Sequence, residues 1–246
     1  MPEITINDTT FVYTLKYSKR RKTICLKIVG PHNIEITAPA KTHKIDVEKL
    51  LFSKFDWLQK KANILRTLAE SPLNKAPCNG QPILFLGEQH LLQIINHSTL
   101  EYSVKQKENN IIISLPAHPN IKYDCTTLLE HWYKKTATKI LIEKTRDWSS
   151  KLGVNPTKIN IKDQKTRWGS CSSLGTINYN WRLIMAPLAI IDYLVIHELA
   201  HLIVPNHSSE FWQVVNRYCP DFKDRRNWLK VNGPLLMKFL HKERKA

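Results

Sequence analysis

The densest apolar run of the chain, Ala189 to Val204, is interrupted at Asp192 and then by three polar residues that share one pentapeptide, His197-Glu198-Leu199-Ala200-His201. A run this apolar belongs in a core, so its polar residues are carried inside with it. Read as a helix over 187–203, it places both histidines on one face, about 6 Å apart along the axis. Two imidazoles so placed can converge on one ion, and Glu198 projects to an adjacent side where it can reach a water held there. Pro187 falls in the first turn, where its missing N–H is no loss.

A catalytic zinc ion takes three protein ligands and keeps a position for water. Pro205 disfavours the helical conformation at Val204, so the helix should stop there. The chain then turns through Asn206 to His207, and Asn206 or Ser208 can cap a new helix, Ser209 to Tyr218. This path brings His207 back towards His197 and His201 and makes it the expected third ligand. The rival is an acidic residue farther on: Glu210, Asp221 or Asp224. One Zn2+ is the expected cofactor, although nitrogen ligands also suit other divalent metals. Zinc lowers the pKa of a bound water towards ~7, and Glu198 would take the proton as that water attacks a carbonyl.

Elsewhere the pattern changes period. Ile24 to Val29 and Ile34 to Thr37 alternate like strands about a turn at 30–33. Val47, Leu50, Leu51, Phe55, Leu58, Ala62 and Leu65 recur at helical steps and predict one helix from Val47 to about Ala69. Ser71 to Pro82 is rich in proline and asparagine and reads as a linker. Two strands are expected at Ile83–Leu86 and Ile111–Leu115, then a long amphipathic helix from Asp124 to Leu152, with Gly153 as its terminator. A strand around Ile159–Ile161, a Gly/Ser-punctuated stretch from Arg167 to Gly175, and a returning strand Thr176–Leu183 complete a hairpin ahead of the histidine helix. No internal repeat is evident in the sequence. The fold class is α+β, with a β-rich region carrying one helix at 1–118 and a second domain at 119–246.

Composition removes several alternatives. The first residues, MPEITINDTTF, lack the apolar core of a signal peptide, and no apolar run reaches the ~20 residues that span a bilayer. The expectation is a soluble protein without a membrane partner. Five cysteines, an odd number with no C-x-x-C pair, argue against a disulfide framework or a zinc ribbon and for a reducing compartment, the cytoplasm by default. The net charge of +16 is partly clustered at Lys16, Lys19, Arg20, Arg21, Lys22 and Lys27 and in the final HKERKA. Such a surface permits non-specific contact with nucleic acid, or is simply a solvated basic face.

Four blocks in order make a more specific pattern than the pentapeptide alone: Thr166-Arg167-Trp168-Gly169-Ser170-Cys171-Ser172, Ile177-Asn178-Tyr179-Asn180-Trp181-Arg182-Leu183, His197-Glu198-Leu199-Ala200-His201-Leu202, and Asn206-His207-Ser208-Ser209-Glu210-Phe211-Trp212. Together they resemble the YgjP-like metallopeptidase family, which is related to the SprT-like and WLM zincins. The resemblance implies a small zincin-like catalytic domain with a three-histidine zinc site, here His197, His201 and His207, and supplies no substrate; the expectation is hydrolysis of peptide bonds in a peptide or protein. In zincins a strand ahead of the active-site helix commonly pairs with an extended substrate, which makes Arg167, Trp168, Asn178 and Asn180 candidate substrate contacts. Equally, Trp168 and Trp181 read as core aromatics and Arg167 as a structural ion-pair partner. Cys171 reads as a buried free thiol. Two rival readings keep the metal: a nucleic-acid-binding protein with a structural zinc, and a zinc amidase acting on a small molecule.

Overall fold

The computed structural model describes residues 2–6, 9–30, 32–70, 76–98, 101–117 and 124–240, with only the backbone of α2 described at several positions in its second half. It divides into two compact units, Met1–Ser71 and Pro72–Ala246. The sequence pattern places the boundary later, after residue 118. The difference lies in the strands of 82–116, whose buried residues belong to one core with the helices and strands C-terminal to them.

In the first unit, β1 (Glu3–Ile6), β2 (Thr9–Ser18), β3 (Cys25–Gly30) and β4 (Asn33–Pro39) form a sheet of order β1-β2-β4-β3. The inner pair is parallel, with Tyr13 opposite Ile34 and Leu15 opposite Ile36. One face carries Phe11, Tyr13, Ile34 and Ile36, all essentially excluded from solvent. Two helices cover that face, α1 (Lys44–Ser53) and α2 (Phe55–Glu70), through Val47, Leu51, Phe55, Leu58 and Ala62. The single helix expected from Val47 thus starts at Lys44 and bends at Lys54, whose N–H is shared between the carbonyls of Leu50 and Leu51. The apolar spacing runs through the bend without interruption, so periodicity could not reveal it. Lys19, Arg20, Arg21 and Lys22 are exposed between β2 and β3, while Lys27 pairs with Glu35.

The second unit opens with the same topology. Strands β5 (Pro82–Phe85), β6 (Glu88–His97), β7 (Ser103–Lys107) and β8 (Asn110–Pro116) are ordered β5-β6-β8-β7, again with a parallel inner pair between antiparallel hairpins. Helix α3 (Cys125–Leu152) comes next, capped by the Asp124 carboxylate and ended by Gly153 at φ 69°, in agreement with the sequence pattern. Its N-terminal half lies on the sheet, where the Tyr133 hydroxyl donates to the Leu84 carbonyl at 2.5 Å. Its C-terminal half lies under the remaining elements, where Thr145 donates to the Tyr179 hydroxyl at 3.2 Å.

Those elements are β9 (Lys158–Lys162), β10 (Gly169–Cys171) and β11 (Thr176–Asn180) in a sheet of order β10-β11-β9, and α4 (Leu188–Ala200), α5 (Ser209–Tyr218) and α6 (Phe222–Lys238). β11 stops at Asn180, and a 3-10 helix takes Trp181–Met185 where the sequence suggests more strand. The β5–β6 turn docks on that helix: Leu86 N–H donates to the Ile184 carbonyl at 2.9 Å and Gly87 N–H to that of Met185 at 3.1 Å. Gly87 adopts φ 87° and lies so close to Pro187 that a Cβ would come within 2.7 Å of its ring. The start of α4 is therefore fixed by the neighbouring sheet. Among the described residues, no helix is long and apolar enough to cross a membrane.

Candidate metal centre

Helix α4 is buried on nearly all sides, with Ile190, Ile191, Tyr193 to Ile196 and Leu199 in the core. An all-round apolar helix of this kind is a rigid platform, because no face of it is free to lift into water. It ends at Ala200, and 201–203 continue as a tightening turn in which Leu202 and Ile203 donate to Leu199 and Ala200. Pro205 comes two residues later. The Asn206 carboxamide accepts from Ser208 N–H at 3.0 Å, and the Ser208 hydroxyl then caps α5 by accepting from Phe211 N–H. Both polar residues thus shape the turn that presents His207.

The result is one cluster. Nitrogens of His197, His201 and His207 all lie within 4.8 Å of one another, the only such group of potential metal ligands among the described residues. The Nε2 atoms of His197 and His207 stand 3.1 Å apart. His201 directs Nδ1 to the Val204 carbonyl at 3.3 Å, which leaves its Nε2 free as a lone-pair donor. Nδ1 of His197 is buried without a hydrogen-bond partner. Burial, reinforced by the two neighbouring histidines and by Arg226, pushes the His197 pKa down to about 3, and burial lowers that of His201 as well. At neutral pH these two are unprotonated imidazoles, the form that binds a metal. Three convergent nitrogen donors fit a single borderline divalent cation such as zinc.

Aromatic rings pack against the histidines from behind. Phe211 stacks on His201 at 4.4 Å between centroids, and Trp212 stacks on His207 at 5.7 Å. Trp212 in turn stacks on Phe222, at 5.1 Å and 16°. Sequence reasoning alone assigns Phe211 and Trp212 no role. The available signal is their position in the first turn of the helix just past the third histidine. Glu210, Asp221 and Asp224, the acidic alternatives, are exposed and stand outside the cluster, and Asp221 is engaged by Arg225 at 2.8 Å.

Glu198 is 4% exposed, and burial pushes its pKa up to about 8. Its carboxyl lies against Gly169 of β10, where a Cβ would come within 2.8 Å of both Cγ and Cδ. Gly169 is required here by close approach, a constraint that sequence reasoning misses. Cys171, two positions along the same strand, is half-buried and outside the ligand cluster. Burial, and next the charge of Glu198, raise its thiol pKa.

The four candidate substrate residues divide into two kinds. Trp168 is half-buried, with its indole against α6 where Gly233 has no side chain; a Cβ there would lie 3.0 Å from Nε1. Arg167 is exposed. Asn178 is tied across the sheet, donating to the Ser170 hydroxyl and accepting from Asn160, both at 3.1 Å. Asn180 is fully buried, and its amide donates to the carbonyls of Gln164 at 2.6 Å and Arg167 at 3.2 Å. Arg182, also buried, holds Asp163 and the Phe239 carbonyl. Asn180 and Arg182 therefore brace the 163–168 loop from inside. In front of that loop an open cavity of about 570 Å³ extends from His197 along Trp168 to α6.

No curated protein matches the chain. Among solved structures, the metallopeptidase zymogen abylysin of Pyrococcus abyssi is 26% identical over 37% of this chain and 95% of its own, with a TM-score of 0.34. Jannalysin of Methanocaldococcus jannaschii, also a metallopeptidase zymogen, is 22% identical over 39% of this chain and 96% of its own, with a TM-score of 0.34. The family model for the YgjP-like metallopeptidase domain matches residues 22–232, a span that contains the three histidines, Glu198 and the bracing hairpin. With a match of that extent, the chain belongs to the YgjP-like metallopeptidase family.

Proposed function

We propose that this chain is a zinc metallopeptidase in which His197, His201 and His207 hold one zinc ion and Glu198 is the general base. The observation that carries this reading is the convergence of three histidine nitrogens beside a buried carboxyl. When bound, zinc supplies a positive charge that acidifies water and polarises a substrate carbonyl. Glu198, held in place by Gly169, accepts the proton of the attacking water at a carboxylate oxygen and returns it to the leaving amine. Burial alone would keep Glu198 protonated near neutrality, whereas a cation beside it favours the ionised form that can act as a base.

β10 is the edge strand of its sheet, so its free backbone groups can pair with an extended peptide. Arg167 and Trp168 then reach the substrate directly, while Asn178 and Asn180 shape the strand and loop that present them. The open form of the cavity suits a chain better than a small molecule enclosed on all sides. A structural zinc is disfavoured because no fourth protein ligand converges among the described residues.

The test is cleavage of a diverse peptide library by the zinc-loaded protein, with Glu198→Ala in parallel. The expected outcome is that cuts disappear in the variant, a loss of at least about 1,000-fold, while zinc stays bound at one ion per chain. Undiminished cleavage by Glu198→Ala would remove Glu198 from the mechanism.

A further inference from the structure

The cavity in front of Trp168 has a one-sided charge. Its floor is apolar, built from Trp168, Leu194, Leu229 and Met237, and every charged side chain that lines it is a cation: Lys165, Arg226 and Lys230. All three are exposed, and none has a carboxylate within ion-pairing distance among the described residues. The nearest acid in sequence to Lys165, Asp163, is already taken by Arg182. Arg226 and Lys230 are one turn apart on α6, an arrangement of like charges that slightly destabilises a helix unless an anion lies between them. Arg226 is also held in position, its guanidinium 5.0 Å from the centroid of the Trp212 ring that stacks on His207.

Resting on the metallopeptidase reading, we propose that this wall is a subsite for a carboxylate and that the substrate is an acidic peptide. The carboxylate lies between Arg226 and Lys230, with Lys165 closing from the loop, and the aliphatic part of the same residue rests on the Trp168 indole. Arginine offers a planar pair of N–H donors to a carboxylate, and the lysines add point charges. The cavity opens at His197, so the recognised residue sits close to the scissile bond. Two sources present the same chemistry, an aspartate or glutamate side chain within the peptide and the carboxylate at its C-terminus.

Binding and cleavage are measured separately. Zinc-loaded Glu198→Ala protein is titrated with peptides that differ only by Glu or Gln at each position in turn, and with free or amidated C-termini. The expected result is about tenfold tighter binding of the acidic member at one position, shrinking as salt is raised. A preference confined to the free C-terminus would assign the subsite to a terminal carboxylate, and one at an internal position to a side chain. Arg226→Gln with Lys230→Gln should bring the ratio close to one. Lys165→Gln, on the loop, should reduce it in part and serves if the double variant does not fold. Equal affinities throughout, an unchanged ratio in these variants, or no binding of either peptide overturns the proposal. The two readings fail separately. A wild-type enzyme that cuts library peptides with no preference for acid keeps the peptidase and loses the subsite. One that cuts nothing while the Glu/Gln discrimination persists in binding does the reverse.

Discussion

The two four-stranded sheets have the same strand order, the same parallel inner pair and a helical segment after each, yet only one became part of a catalytic unit. In Met1–Ser71, α1 and α2 cover a single sheet face, and the buried residues described there are apolar except for the Tyr13 hydroxyl. In Pro72–Ala246, α3 is 28 residues long, about 42 Å, and extends well past the sheet. The overhang is what the catalytic layer packs on. Every buried polar or charged side chain among the described residues belongs to this second unit: Gln81, His90, Thr145, Ser149, Asn180, Arg182 and Glu198. Covering a sheet requires only a short apolar stripe. Supporting a site requires a helix with length to spare and a core that tolerates polar groups, some of them held by specific partners as Asn180 and Arg182 are.

Deletion breaks the comparison most severely. Removing residues 1–71 should leave 72–246 with cooperative thermal unfolding and one bound zinc, because the second unit has a core built from its own residues. Removing 1–118 takes away Ile83, Phe85, Leu92, Ile111 and Ile113, which share one core with Leu129 and Tyr133, and should abolish cooperative unfolding. The loss is of the order of the whole stability of a domain, about 5–15 kcal/mol. Circular dichroism and metal titration check both fragments. A cooperative, zinc-binding 119–246 fragment would show that the second sheet, like the first, is an independent body.

The same asymmetry governs what is legible in sequence. Helices α3, α4 and α5 are readable because their ends carry strong local chemistry: Asp124 and Gly153, Pro187 and Pro205, Ser208. The histidine cluster is readable because two of its members lie a helical turn apart and the third comes after a forced break. The strands β2, β6 and β7 escape the sequence pattern. β2 and β6 alternate between a buried and a wet face over part of their length and β7 is largely exposed, so polar members such as Thr14, Gln93 and Lys105 look like loop until a partner strand is present. The repeated topology is invisible for the same reason: it resides in strand order and direction, not in matching residues. Asn180 looks like a substrate contact because it stands in a motif, whereas its buried position depends on the 3-10 helix that begins one residue later.

Glycines sharpen the contrast. In the second unit, Gly169→Ala puts a methyl group within 2.8 Å of the Glu198 side chain, and Glu198 must move. A displacement of a catalytic group by about 1 Å costs on the order of 100-fold in rate, so kcat should fall by about that factor with zinc retained. In the first unit, the neighbour of a Cβ at Gly30 is the end of the Asn33 side chain, 3.1 Å away and able to swing aside. Gly30→Ala should leave turnover unchanged and shift stability by no more than about 1 kcal/mol. Comparable rates for the two variants would mean that β10 does not position the base.

A last contrast separates the units by pH. Burial holds Glu198 near pKa 8, against 4.5 for an ordinary glutamate side chain, so in metal-free protein the folded chain keeps a proton that the unfolded chain has released between those values. Stability contributed at this position is therefore undiminished below about pH 4.5, falls as pH rises, and levels off above about 8. The slope is at most about 1.4 kcal/mol per pH unit. Glu198→Gln removes the titrating group, so the variant should gain on the wild type as pH rises from 5 to 8, in chemical denaturation of chelator-treated protein. Tyr13, the buried titratable side chain of the first unit, is raised above its usual 10 mainly by burial and contributes no change over that range. Loading zinc should shrink the difference between variant and wild type, since a nearby cation stabilises the ionised carboxylate. A difference that stays flat across this range in the metal-free protein would mean that Glu198 is already ionised there, and that solvent reaches it more freely than its 4% exposure implies.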